Sequence, residues 1–443
     1  MLAILQRLES CTMDFPTLIC DEKSKTWSFS EKIKTKNAMF FRYLVVNHLQ
    51  LYFEYNVHCT QLAHDLMREG VKISEVTQQL QAALVMAELL EHVYRDYLIV
   101  PREVINNRRE QEIYRQLLAL DGYQFPDQDK YLKVKTSSSS PTKTIRDLTV
   151  STNWPRLLLL RTRRLLIAIT PLIKGFDAYP RWIRLMEVTT NFVIPYLAWI
   201  FFLPRLLTNL FLFWKHIIPG PWMKEPERSL DWQSRFQAQM ERRWFEISND
   251  AAWFTGGLIN CFVLIGLLAP VALFISLGLQ TYDVILASIR FHIEISRMHK
   301  LEEDYKRMLS YTASTDPAYA QINDYLIYLE ERINYEKKRL SVSIINNCVL
   351  VISMMLTLAI LSFTPVMPLV GAILAVMITI ACYVAVKCID QQKPKPMEVI
   401  KKVAHERHGF FKDKSSPPSP SSSSSSSYSS PLDEHVVADP FVP

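Results

Sequence analysis

Apolar residues fall in a few long blocks, and elsewhere the apolar positions recur at helical spacing. The strongest blocks are 251–280, 344–363 and 366–387, with a mixed-charge stretch, 281–343, between the first and second. A helical run of about 20 apolar residues matches the hydrocarbon thickness of a bilayer. Alternation of period two is scarce, so strands are not expected. The pattern predicts an all-α, polytopic membrane protein. It has an N-terminal helical domain and an antiparallel coiled-coil hairpin held between membrane spans.

The N-terminal domain, 1–125, reads as helices. Ser30 and Glu31 open a pattern that runs towards Glu69, with Gly70 as its C-cap. Its middle, Met39 to Tyr55, is apolar enough for a buried core helix. Ser74 caps a second helix, Glu75 to Tyr97, and Pro101 starts a third that ends before Asp121-Gly122. A polar linker, 126–152, follows.

In 153–190 arginines sit among leucines: Arg156, Arg161, Arg163 and Arg164, then Lys174, Arg181 and Arg184. Leucines sink into an interface while arginines reach headgroups, so this stretch is expected to lie on an anionic membrane surface. The next segment, 191–214, is apolar but holds Pro195, Pro204 and Arg205, and is expected to be a first span. A charge at the bilayer centre costs about 2.5–3.5 kcal/mol, which makes Arg205 a functional candidate. Asn260, inside 251–280, is the second intramembrane polar candidate, and Asp250 is expected to cap that span. Between the two spans, Trp232, Phe236, Met240 and Trp244 recur at steps of four. They predict an amphipathic helix, capped by Ser229, with its tryptophans at headgroup depth.

Charge sets the expected orientation. The seven cations of 156–184 stand against Asp177 alone and equal the whole formal excess of +6. Residues 387–414 hold eight lysines and arginines against four acids, whereas 215–250 holds six of each. The positive-inside rule then makes both termini cytosolic, with 215–250 on the opposite side. The stretch 281–343 is a cytosolic arm. Phe291, Ile295, Met298, Tyr305 and Leu309 form one stripe of 4-3 spacing. Asp316-Pro317 starts a return helix carrying Ile322, Leu326, Leu329, Ile333 and Leu340. Two such stripes specify a coiled-coil hairpin, which either projects or packs on the N-terminal domain. Gly256, Gly257 and the Gly371/Ala375 pair permit close helix approach.

Composition narrows the chemistry. Glycine is scarce, 10 residues, and no phosphate-loop spacing is present. Seven scattered cysteines without a CxxC pair fit a reducing compartment. His58, Cys59 and His64 do not share a helix face, and His405-Glu406-Arg407-His408 lacks HExxH spacing. No catalytic, metal or cofactor set is expected. The basic patch, beside apolar residues, suits anionic lipid and not nucleic acid. Leu2 to Leu5 is interrupted too early for a cleavable signal. The tail, 388–443, is basic, then Ser/Pro-rich and expected to be disordered. Its end, Leu432 to Pro443, mixes acidic and apolar residues. In composition it resembles the C-terminal translocation signals of effectors secreted by intracellular bacteria, which implies a host membrane as target. The functional expectation is a non-enzymatic scaffold that binds or tethers protein partners through the arm and N-terminal domain. Arg205 and Asn260 motivate an alternative, a transporter or channel component that works as a homo-oligomer. A membrane-bound enzyme with a noncontiguous site is a third.

Overall fold

The computed structural model describes residues 20–21, 25–36, 38–68, 71–126, 141–169, 178–264, 268, 271–358, 364 and 366–412. Among them the only strands are a two-residue ribbon, β1 (Cys20–Asp21) paired antiparallel with β2 (Thr26–Trp27). Most of the rest is helical. The N-terminal half of the fold is α1 (Phe29–Lys34), α2 (Ala38–Val46), α3 (His48–Met67), α4 (Ile73–His92) and α5 (Pro101–Ala119). Then come α6 (Pro141–Ile169), α7 (Ala178–Ile217), α8 (Glu225–Ser229) and α9 (Trp232–Phe262). The chain closes with α10 (Val271–Tyr311), α11 (Pro317–Leu356), α12 (Val366–Gln391) and α13 (Pro396–Lys412).

Three of these, α10, α11 and the chain from α12 onward, contain stretches long and apolar enough to cross a membrane. That agrees with an integral membrane protein. The expected span 251–280 is not one helix, because α9 stops at Phe262 and α10 starts at Val271. Gly266 and Pro270 lie between them. The expected span 344–363 ends early, with Thr357 as the C-cap of α11. The linker is shorter than expected, since helix α6 begins at Pro141. The single helix expected from Ser30 to Glu69 is three helices, with a break after Thr35 and another at Asn47. Arg68 takes the C-cap of α3, and Gly70 lies outside the described residues. The helix expected from Glu75 to Tyr97 is α4 plus a π-helical turn, Val93–Tyr97.

Pairs of contacts fix the direction of each long helix. Trp199 meets Gly257, while Arg205 meets Asp250 and Phe213 meets Phe236, so α7 and α9 run antiparallel. Leu279 meets Gly256 and Arg297 meets Glu241, so α9 and α10 do too. Asn347 bonds the Asp283 carbonyl and Tyr325 stacks on Tyr305, which sets α10 against α11. Ser353 bonds the Gly371 carbonyl and Tyr335 reaches Asp390, which sets α11 against α12. Trp154 packs on Tyr383 and Arg161 on Thr379, so α6 runs antiparallel to α12. Six helices therefore run up and down in turn. The connections 215–231, 312–316 and 392–395 lie at one end, and the C-terminal ends of α6, α9 and α11 lie at the other.

The first end carries a head. One hydrophobic core includes Phe41, Leu62, Leu84 and Leu117 of α2–α5 together with Ile295, Leu301 and Tyr305 of α10 and Leu329 and Ile333 of α11. Ile400 and Ala404 of α13 join it. The arm is thus docked in the N-terminal domain and does not project from it. All ten stripe residues are buried in this core or packed against it, and Leu301 between them is fully buried. Asp316 accepts from the Ala318 amide at 2.8 Å and Pro317 occupies the first turn, so α11 starts as its sequence predicts.

Residues 224–242 also belong to the head end. Lys224 bonds the Arg95 carbonyl at 2.9 Å, Arg42 meets Asp231 at 3.3 Å and Ser234 at 3.1 Å, and Leu230 and Ala238 enter the head core. The segment expected across the membrane from the N-terminal domain thus packs against that domain. The charges of 215–250 balance with or without the buried Arg235, Arg243, Glu227 and Asp250, so the count carries no preference for either side.

Candidate functional site

Two polar clusters stand out, one in the head and one in the bundle. The head cluster forms where the hairpin docks. Glu54 on α3 accepts a hydrogen bond from the Tyr305 hydroxyl of α10, and its carbonyl accepts from Tyr325 of α11 at 3.3 Å. The two tyrosine rings stack with centroids 4.2 Å apart. The next residue of α3, Tyr55, donates to Glu110 at 2.7 Å and lies 2.9 Å from the Tyr114 hydroxyl. Tyr114 also meets Cys59 at 3.1 Å and Met397 of α13 at 3.2 Å. The chain thus ties α3, α5, α10, α11 and α13 together. Burial lifts the Glu110 carboxyl to about 7 and the Cys59 thiol to about 12. A thiol held neutral is a packing group, not a nucleophile. His58 bonds the Gln79 carbonyl at 2.9 Å and burial lowers it to about 4, so it is a neutral core residue.

A second head network surrounds Glu88. It accepts from Arg115 at 2.7 Å, Trp27 Nε1 at 3.2 Å and Ser30 Oγ at 2.9 Å, while burial pushes its carboxyl up. Buried carboxylates with this many donors are satisfied structural groups.

The bundle cluster is built around Arg205. The sequence marks this residue but not its partner. Asp250, expected as a helix cap, sits inside α9 and accepts from Arg205 Nε at 2.7 Å. The pair is bidentate, and Asp250 is fully buried. One turn up, Asn209 donates to Glu246 at 2.8 Å. One turn down, the Trp253 indole donates to both carboxylate oxygens of Asp283, at 3.0 and 3.1 Å. Phe202 stacks on Trp253 at 6.2 Å, and the Arg156 guanidinium lies 4.2 Å from the Phe201 ring. Small residues allow this closeness. A Cβ added to Gly257 would stand 2.8 Å from Trp199, and one on Gly371 would stand 2.6 Å from the Ser353 carbonyl.

The described residues of the basic patch differ in their surroundings. Arg156 turns to α7 and Arg161 bonds Thr379 of α12. Arg163 is half-buried, while Arg164 and Arg181 are exposed. Arg184 lies on α7, and Lys174 falls outside the described residues. Asn260 lies in the last turn of α9, away from Arg205, and its buried Oδ1 has no hydrogen-bond partner among the described residues. Ser229 ends α8, and Asp231 caps α9 by accepting from the Ser234 amide at 3.1 Å. Comparison with protein-family models, curated proteins and solved structures finds no match for the chain.

Proposed function

We propose that the chain is a polytopic membrane scaffold that holds a rigid helical head against one membrane face and binds protein partners there without catalysis. One observation carries this reading. Helices α10 and α11 run unbroken from apolar, membrane-compatible ends into the core of the head. A continuous helix transmits position and orientation, so the head has no hinge of its own along these two helices. Both ends of the described chain and the connections 215–231 and 312–316 then lie on one side. The positive-inside rule makes that side cytosolic.

The test is proximity labelling from the full-length protein in cells, compared with Leu301→Asp. The scaffold expects a discrete partner set that the variant loses, with both proteins resistant to alkaline extraction. An identical set from both contradicts it. The transporter reading is weaker because Arg205 and Asp250 are buried and satisfy each other. Ion flux through reconstituted vesicles, abolished by Arg205→Leu, would reverse that order.

A further inference from the structure

Where α9, α10 and α11 meet, the bundle holds a carboxyl that no cation pairs with. Asp283 is the sole charged residue between Val271 and Ile289 of α10. Both of its carboxylate oxygens accept from the Trp253 indole of α9, at 3.0 and 3.1 Å. From α11, Asn347 donates to its backbone carbonyl at 3.3 Å. The cations of the packed helices are committed elsewhere. Arg205 pairs with Asp250, Arg290 with Glu294 and Arg339 with Glu336, while Arg156 stacks on Phe201. On α9 the other acids are Asp250 and Glu246, one and two turns from Trp253, and Glu246 accepts from Asn209. The Cys348 thiol is the titratable neighbour of Asn347 on α11. Among the described residues no basic side chain forms an ion pair with Asp283.

We propose that Asp283 is a proton-binding site at mid-membrane depth, occupied at neutral pH. The proposal rests on the membrane reading above. Depth supports it. Along α10, Asp283 lies about 18 Å from Val271, and along α11, Asn347 lies about 15 Å from the C-cap Thr357. Half of a hydrocarbon core is about 15 Å. Towards the head, the first charged residues of the two helices, Arg290 and Arg339, are about 11 Å further on. An ion left without a partner at such depth takes up or gives off a proton instead of staying charged. The partners favour a proton over a metal cation. An indole N–H aimed at both oxygens repels a cation there, and no group of three metal-ligating side chains occurs among the described residues. Next to Asn347 in the chain, Asn346 keeps a buried Oδ1 with no hydrogen-bond partner among the described residues. A protonated carboxyl is a donor, so it suits a junction with an unused acceptor.

The experiment treats the full chain in phosphatidylcholine vesicles with the hydrophobic reagent dicyclohexylcarbodiimide at neutral pH. This reagent needs a protonated carboxyl. The acid O–H adds across one C=N bond, its proton goes to nitrogen, and the O-acylisourea rearranges to a stable N-acylurea with no group leaving. Peptide masses of the wild-type protein are expected to place the adduct on Asp283. Its yield is expected to be at least about tenfold that on Glu398 and Glu406, which are exposed on α13. Asp283→Asn is expected to lose that adduct alone, and a water-soluble carbodiimide to leave Asp283 unlabelled. Because the adduct is located on the wild-type chain, the reading does not depend on how the variant folds. No adduct on Asp283, or equal labelling by the water-soluble reagent, overturns the proposal. An adduct suppressed when sodium replaces choline at constant pH assigns the site to a metal cation and also overturns it. Alkaline extraction of the wild-type protein would instead remove the membrane reading itself.

Discussion

The head and the bundle bury charge in different surroundings. In the head, apolar side chains such as Leu62, Leu84 and Leu329 are fully inside, desolvation pushes His58 and Glu110 towards their neutral forms, and Glu88 is paired with Arg115. In the bundle, large apolar side chains face outward, among them Phe211, Ile373 and Met377, while Arg205 and Asp250 pair inside as ions. A water-facing fold hides its apolar groups, whereas a lipid-facing fold hides its polar ones. The same chain does both, and α10 and α11 cross from one regime to the other. Each region is therefore vulnerable in its own way. The head should respond to pH, and the bundle to loss of either ion.

Breaking the bundle pair is expected to have the largest effect. Arg205→Leu leaves Asp250 buried without its cation, at a cost of about 3–5 kcal/mol. Adding Asp250→Leu should recover most of it. Denaturant unfolding in detergent measures both, and equal losses in single and double variants would contradict the pairing. Next comes the joint between the regions. Leu329→Ala in the fully buried stripe should cost about 2–5 kcal/mol. Head and hairpin should melt together, as followed by protease digestion.

The pH response is smaller and has two signs. His48 and His58 are lowered to about 3 and about 4, so the unfolded chain takes up protons first. Their contribution is complete above about 6.5 and is lost as pH falls towards about 4 for His58 and about 3 for His48. Glu110 is raised to about 7, so its contribution is complete below about 4.5 and is lost as pH rises through 7. Each pKa unit corresponds to about 1.4 kcal/mol. Melting temperature of wild type against Glu110→Gln, scanned from acid to neutral pH, checks the signs. The Gln variant should lose the neutral-side decline and keep the acid-side one. The smallest expected effect is at Ile99, whose φ of 51° puts a branched residue in the left-handed region. Ile99→Gly should relieve strain by about 1–2 kcal/mol, less about 0.5–1 kcal/mol for glycine's entropy. A small rise in melting temperature is the outcome to measure.

Local signals in the sequence describe the helices well. The Asp316-Pro317 start, the Pro101 start and the two stripes of the hairpin follow from spacing alone. Long-range pairs do not. Arg205 and Asp250 are 45 residues apart and Tyr305 and Glu54 are 251 apart, so no periodicity links them. The break after Phe262 is hidden because an apolar run looks alike on both sides of a turn. The packing of 215–250 on the head was illegible for a different reason. Its charges balance, six of each, so they favour neither side, and contacts such as Arg42 with Asp231 join residues far apart in the chain.

The most direct test is a map of sidedness across the whole chain. Reporters at positions 130, 230, 315 and 420 are expected on one side of the membrane, with reporters at 174, 266 and 361 on the other. A reporter at 230 that appears opposite to those at 130 and 315 would contradict the packing of the α7–α9 hairpin on the head, and with it the single-faced scaffold.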